Sequence, residues 1–397
     1  MRVVQINTTC GIGSTGKICV GISQLMTAQN IENYILCSRT NGFPAGIPCS
    51  GGGYIKSQAL KSRILGNYGF NSQRSTRRMI AELEYIRPDI VHLHNIHSHD
   101  CDLEMLFNWF RRHRTKLVWT FHDCWAFTAY CPHFTMAKCD KWKTSCEHCV
   151  QRRRYSWLFD RSRELFERKK ELFSGLDLTI VTPSQWLAGS VRRSFLKEYP
   201  VHVIHNGIDL DVFRPASSSF RVKHGLENKK ILLGVSFGWD ARKGLDVFVE
   251  LSKRLSADYQ IVLVGTDSKV NKLIPANIIS IHRTQNQQEL AEIYTAADLF
   301  VNPTREENYP TVNMEALACG TPVLTFRTGG SPEMLEETCG SVVDCDDVDA
   351  MEKEIIRICT HKPYCEMDCL KKAWKFDQNE RFKEYLILYE RIVAGRY

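Results

Sequence analysis

The sequence predicts an α/β protein made of two Rossmann-like domains facing across a cleft, and three observations predict it. Short β-branched runs alternate with amphipathic helical stretches along the chain, the pattern of parallel sheets covered by helices on both faces. The same plan occurs in each half. At 397 residues the chain is also too long for one ordinary core, since domains run to roughly 100–200 residues.

Residues 3–6, 90–93, 116–121 and 178–182 read as strands of the first half. Residues 231–235, 260–264, 299–302 and 322–326 repeat the plan in the second. Between them, 200–215 (PVHVIHNGIDLDVFRP) carries an Asn-Gly turn and a closing proline, which are boundary signals. Domains are therefore expected over 1–200 and 201–378. Residues 379–393 have helical periodicity and follow the last expected strand, so 379–397 is assigned to a C-terminal helix packing back on the first half.

The bulk composition excludes several classes. With 43% apolar, 10% aromatic and 24% charged residues the chain is globular rather than disordered or fibrous. It opens on a strand-like run without the basic start and small-residue cleavage site of a secretory signal. No run of about 18 apolar residues offers a membrane span. The sixteen cysteines are accordingly expected as reduced thiols, mostly in cores, and the chain as cytoplasmic. A net charge of +7 favours phosphate-bearing partners or an anionic membrane surface and does not single out nucleic acid, which is not expected as a partner.

Four signals carry chemistry. The first is CGIGSTGK, from Cys10 to Lys17, between a strand and a helix with Ile18, Ile22 and Leu25. Gly13, Ser14 and Gly16 there let backbone approach a ligand at a helix start, although a tight turn explains such glycines equally well. The spacing fits neither a Walker loop nor the dinucleotide fingerprint. The second is His122-Asp123 at a strand end, where ligands of open parallel sheets bind; a lone histidine in that position is also a common structural residue.

The third signal, REENYPTVNMEALACGTPV from Arg305 to Val323, is the strongest. Pro310 suits a first helical position, Gly320 the position past a helix end, and Pro322 prevents continuation. Glu307 then precedes the short helix and Glu315 lies within it. One carboxylate can face a sugar while the other accepts from ribose hydroxyls, with the helix start pointing at phosphates. Two solvated glutamates would explain the charges but not the framing. The fourth signal is Arg242-Lys243-Gly244 after the strand ILLGV, adjacent cations able to neutralise a leaving pyrophosphate.

Together, FHD at a strand end, VTPSQWL, VIHNGID, RKG and ENYPTVNMEALACGTPV resemble family four of the retaining glycosyltransferases, which have the two-Rossmann GT-B fold. The resemblance covers nearly the whole chain. It implies an acceptor-binding N-terminal domain and a nucleotide-sugar-binding C-terminal domain. It also implies that Glu315 binds the donor ribose, Glu307 lies beside the donor sugar, Lys243 holds the diphosphate and His122 contacts the transferred sugar. Gly13, Ser14 and Gly16 would line the acceptor and donor phosphate, and Asn308, Tyr309, Pro310 and Thr311 would shape the donor site. One departure stands out: many members carry arginine where this chain has Gly238, and Arg242 is the candidate to take over that role. The block HDCWAFTAYCPHF resembles enzymes of bacterial surface polysaccharides such as colanic acid, capsule or O-antigen, which implies a glycan acceptor, lipid-linked, at the cytoplasmic face of the inner membrane.

Transfer is expected to need no cofactor beyond the nucleotide-diphosphate sugar itself, because no Asp-x-Asp element stands where a nucleotide-bound magnesium is needed. Cys131, Cys139, Cys146 and Cys149 end in a Cys-x-x-Cys with zinc-ligand spacing, but the earlier spacings are looser than zinc motifs. A structural zinc and reduced core thiols therefore both remain open. Residues 152–173 mix arginines with Trp157, Leu158, Phe159, Leu165 and Phe166, which reads either as a membrane-surface helix or as a helix packing its apolar face inward. Competing functions are a non-catalytic nucleotide-sugar sensor, a phosphorylase lacking any pyridoxal motif, and a dehydrogenase lacking its fingerprint.

Overall fold

The computed structural model describes residues 1–395; the last two residues of the expected 379–397 helix segment lie outside them. The chain forms two compact units, one of Met1–His205 with the chain from Asn379 onward, the other of Asn206–Gln378.

The first unit is built on strands β1 (Arg2–Ile6), β2 (Glu32–Cys37), β3 (Gly46–Pro48), β4 (Ile90–Leu93), β5 (Lys116–Thr120), β6 (Leu178–Thr182) and β7 (Val201–Val203). They lie in the order β3-β2-β1-β4-β5-β6-β7, all parallel. Alternation along each strand feeds two cores, as a sheet covered on both faces requires. Val4, Ile6, Val91, Leu117 and Ile180 join one cluster with Phe107 and Phe173. Val3, Ile90, Val118 and Val181 join the other with Ile18, Ile22 and Met26 of helix α1 (Gly13–Ala28).

That second core is closed by the last helix, Gln378–Val393, whose Phe382, Tyr385, Leu386, Leu388, Tyr389 and Ile392 are buried in it. Gly21 of α1 is there because a Cβ would stand 2.3 Å from the Phe382 ring. Tyr389 and Tyr385 also reach His92 and Thr120 over 2.6 Å and 3.2 Å.

The second unit holds strands β8 (Lys230–Val235), β9 (Tyr259–Val264), β10 (Ile278–Ile281), β11 (Leu299–Asn302), β12 (Val323–Phe326) and β13 (Gly340–Val343). Their order is β10-β9-β8-β11-β12-β13, again parallel. Ile231, Leu233, Val262 and Phe300 face one core, and Leu232, Ile261, Leu263 and Leu299 the other.

Residues 152–173 are not one helix. Arg152–Tyr155 forms a single turn, a bend follows, and Ser162–Phe173 packs Leu165, Phe166, Leu172 and Phe173 into the core. The inward-packing reading therefore holds for Leu165 and Phe166. Lys169 of the same helix is fully buried, donating to the carbonyls of Trp125 and Thr128 over 2.9 Å and 3.0 Å.

Candidate functional site

In the second unit β8 and β11 are neighbours at the centre of the sheet, so the loops leaving their C-terminal ends meet. The loop after β8 closes as a turn, Ala241–Lys243, whose N-cap Asp240 accepts the Lys243 N–H at 3.0 Å. Gly244 follows at φ 74°, and a Cβ there would fall 2.3 Å from the Pro303 carbonyl. The two loops pack too closely for any other residue.

That contact brings Lys243 to Glu307. Nζ donates to Oε2 over 2.6 Å, and both side chains are about four-fifths buried, at 21% and 20% exposure. The other oxygen of Glu307 accepts the Asn308 N–H at 3.1 Å. Gly329, at φ 56°, packs beneath this loop, where a Cβ would stand 1.9 Å from the Glu307 carbonyl.

Arg305 clamps the two loops together. Its guanidinium holds both oxygens of Asp246 at 2.8 Å, Asp346 at 2.5 Å and the Ala241 carbonyl, and its backbone N–H donates to the Arg242 carbonyl at 2.9 Å. At 12% exposure it is the most enclosed arginine of the arrangement. Arg242 itself is half-buried, with Nε 4.0 Å from Asp240. Nothing stands within 4 Å of the position a Cβ would take on Gly238.

The short helix expected from the third signal is Thr311–Ala318, and Pro310 caps it rather than forming its first turn. Extended backbone at φ −73°, ψ 120° makes the difference, a shift of one residue that leaves the helix start in place. Asn308, Tyr309 and Pro310 are buried, and Thr311 is partly exposed. The Tyr309 carbonyl is held by Asn206 Nδ2 at 3.2 Å. Glu315 accepts a hydrogen bond from the buried Tyr294 hydroxyl at 3.1 Å. Burial, with the Glu315 charge beside it, pushes the Tyr294 hydroxyl well above its ordinary value, so it remains a donor.

In the first unit Gly13, Ser14 and Gly16 fall in the opening turn of α1. Its N-cap, Ile12, makes no side-chain cap hydrogen bond, and the turn holds no acidic residue. Gly16 allows the turn to close on Thr9, whose Oγ1 would lie 2.8 Å from a Cβ.

A hydrogen-bonded line runs from Gln5 through His94 to His122. Gln5 donates through Nε2 to the Cys19 carbonyl at 3.0 Å, which leaves its Oε1 to accept from His94 Nε2, also at 3.0 Å. His94 is therefore protonated at Nε2, and its Nδ1 accepts from His122 Nε2 at 3.1 Å. His122 is consequently the donor in this contact, through Nε2. Burial holds His122 down at about 4 and His94 well below its ordinary value, so both are neutral near pH 7. Beside them His97 Nε2 pairs with Asp123 at 2.8 Å. Burial alone would lower His97 and raise Asp123; their mutual attraction outweighs it, lifting the ring and holding the carboxyl at about 2.

Sequence reasoning missed His92, His94, His97, Gln5, Arg305 and Tyr294. The run IVHLHNIH on β4 was a usable signal, since it ends at the same sheet edge as His122. Gln5 and Tyr294 gave none, being single polar residues inside apolar segments.

Cys131 and Cys146 are buried and Cys139 and Cys149 half-buried, lining one small void with Phe134 and Trp142. Burial pushes the Cys146 thiol up to about 12 and Cys131 higher still. Among the described residues no group of three or more His, Cys, Asp or Glu side chains is arranged to hold a metal ion.

Two parallel α/β units, one of which sets a lysine, a paired carboxylate and a helix start at neighbouring strand ends, define the architecture of GT-B glycosyltransferases. Comparison with known proteins agrees. Residues 16–212 match the Glycosyltransferase Family 4 profile, and 229–361 match the profile of glycosyl transferases group 1. A putative colanic acid biosynthesis glycosyl transferase of Escherichia coli (strain K12) is 26% identical over 366 residues, 88% of each chain. The fold is shared with sucrose-phosphate synthase from Thermosynechococcus elongatus, at TM-score 0.72 and 16% identity over all of both chains. It is shared too with Anabaena HepE, solved in complex with UDP, at TM-score 0.67 and 14% identity over 98% of this chain and 100% of that one. The chain is a GT-B glycosyltransferase, and it resembles enzymes of surface-polysaccharide assembly.

Proposed function

We propose that the chain transfers a sugar from a nucleoside-diphosphate sugar to a glycan acceptor with retention of configuration and without a divalent metal. The observation that carries this is the Lys243–Glu307 pair at the meeting of two strand ends. An arriving diphosphate would attract Lys243 away from Glu307, leaving the carboxylate to hydrogen-bond the donor sugar. Arg242 and the amides opening Thr311–Ala318 would share the developing negative charge, so fixed charge would be the main source of rate. Glu315, oriented by Tyr294, would hold the ribose. In the first unit, His122 would contact the transferred sugar, and the opening turn of α1 with Gly13, Ser14 and Gly16 would line the phosphate.

The acceptor we infer is a lipid-linked glycan of a bacterial surface polysaccharide, made at the cytoplasmic face of the inner membrane. Support comes from the colanic acid enzyme that the chain resembles along most of its length. UDP in the HepE structure makes a uridine nucleotide the first donor to test.

A screen of nucleotide sugars by thermal shift, followed by slow hydrolysis assays with and without a chelator, tests the reading. One nucleotide sugar should raise the melting temperature and release its nucleotide equally in both conditions. No stabilisation by any nucleotide sugar, or hydrolysis abolished by the chelator, would overturn it.

A further inference from the structure

The helix Gly52–Leu65, α2 here, buries only Ser62. Its apolar residues therefore contribute little to a core, yet Leu60, Ile64 and Leu65 are 51%, 37% and 38% exposed. Against its C-terminal end lies the bend after Arg152–Tyr155, where Trp157, Leu158 and Phe159 are 51%, 60% and 53% exposed. The two segments are in direct contact. The Trp157 N–H donates to the Arg63 carbonyl at 2.7 Å, and the Arg63 guanidinium sits 5.9 Å from the Trp157 ring. Gly66 lets the two segments close up, since a Cβ there would meet Ser156 Oγ at 2.8 Å and the Phe159 carbonyl at 3.2 Å.

Charge on these two segments has one sign, and Asp160 is the first carboxylate beyond them. Lys56, Lys61, Arg63, Arg153 and Arg154 are exposed on the same two segments. No aspartate or glutamate occurs anywhere in residues 33–81 or 148–159. A contiguous exposed apolar patch on a globular protein marks an interaction surface. Tryptophan, phenylalanine and leucine protruding within a ring of lysine and arginine match the boundary between acyl chains and anionic headgroups.

We propose that this corner of the first unit, α2 together with residues 157–159, docks on a lipid bilayer carrying anionic headgroups. The apolar tips insert at the headgroup boundary and the cations pair with lipid phosphates. The membrane face is thus the bend and α2, not the helix Ser162–Phe173, whose apolar side is spent in the core. The inference stands on this surface alone and is independent of the transfer chemistry proposed above.

Co-sedimentation of the full chain with vesicles decides it. At low salt the protein should pellet with phosphatidylcholine vesicles containing phosphatidylglycerol, stay in solution with phosphatidylcholine alone, and be released by added salt. Trp157→Ser with Phe159→Ser, and separately Lys56→Glu with Lys61→Glu, should each cut the bound fraction roughly tenfold at an unchanged melting temperature. The charge pair carries the test should the apolar pair lower that temperature. Failure to bind anionic vesicles, binding untouched by the charge pair, or a patch-dependent dimer that ignores vesicles would each overturn the proposal. Nucleotide-sugar stabilisation, measured on the same samples, reports on the transferase reading separately.

Discussion

Lys243 and Glu307, 64 residues apart in the chain, are joined by a 2.6 Å hydrogen bond between Nζ and Oε2. The pair points both groups at the same place before any ligand arrives. Lys243→Gln and Glu307→Gln should therefore each lower kcat by about 10²–10³. Stability should change by less than ~1 kcal/mol, because the pair is partly solvated. Single-turnover rates set beside melting curves check this, and equal losses in both would mean a structural role instead.

Arg305 holds the two loops in register through Asp246, Asp346 and the Ala241 carbonyl. Arg305→Lys keeps the charge but loses the fork that grips both oxygens of Asp246. A kcat/KM decrease of about tenfold is expected from slight misplacement of Lys243. A cycle with Lys243→Gln should show strong non-additivity; simple addition of the two effects would count against a positioning role.

Tyr294→Phe removes the hydroxyl that orients Glu315. Net loss of one such hydrogen bond is worth about 1 kcal/mol. Donor KM should rise about fivefold with kcat little changed, and the reverse pattern would place Glu315 nearer the chemistry than the ribose.

His94→Ala would leave His122 Nε2 without its acceptor and free the ring to exchange tautomers. Nitrogen chemical shifts of His122 should move from a single Nε2–H form toward a mixture, with kcat reduced more than donor affinity. An unmixed ring in the variant would show that His94 does not set the tautomer.

Acid should destabilise the first unit well above the carboxylate range. Burial holds His122 and, with the Arg63 charge beside it, His99 at about 4, and keeps His92 and His94 well below the ordinary 6.5. Between 6.5 and 4 the unfolded chain binds more of these protons, so stability falls as pH falls through that window. His97 opposes the trend, since its raised value gives stability that is lost as pH rises through it. Asp123, held at about 2, contributes above 3.8 and fails only below. Melting temperatures measured from pH 7 to pH 4 should decline steadily, and a flat profile down to pH 4.5 would contradict the buried neutral histidines.

Much of the fold was legible in local pattern. Ile90–Leu93 and Leu178–Thr182 coincide with the expected strands, and Lys116–Thr120 and Val323–Phe326 differ by one residue at an end. Strands of mixed polarity were not legible: Glu32–Cys37 begins with one exposed and two partly buried residues, and Gly340–Val343 is half-buried at a sheet edge. Helix α2 escaped notice for a related reason, since its apolar residues follow no inward-facing stripe.

The sequence by itself determined where chain segments become strands and helices, and which carboxylates and cations sit at their ends. Those properties depend on apolar period, proline and glycine placement over a few residues. Only the tertiary structure decided that Lys243 pairs with Glu307, that Gln5 and His94 stand behind His122, and that Trp157 meets α2. Such partners lie tens of residues apart, and sheet order together with loop packing chooses among many chemically equivalent candidates.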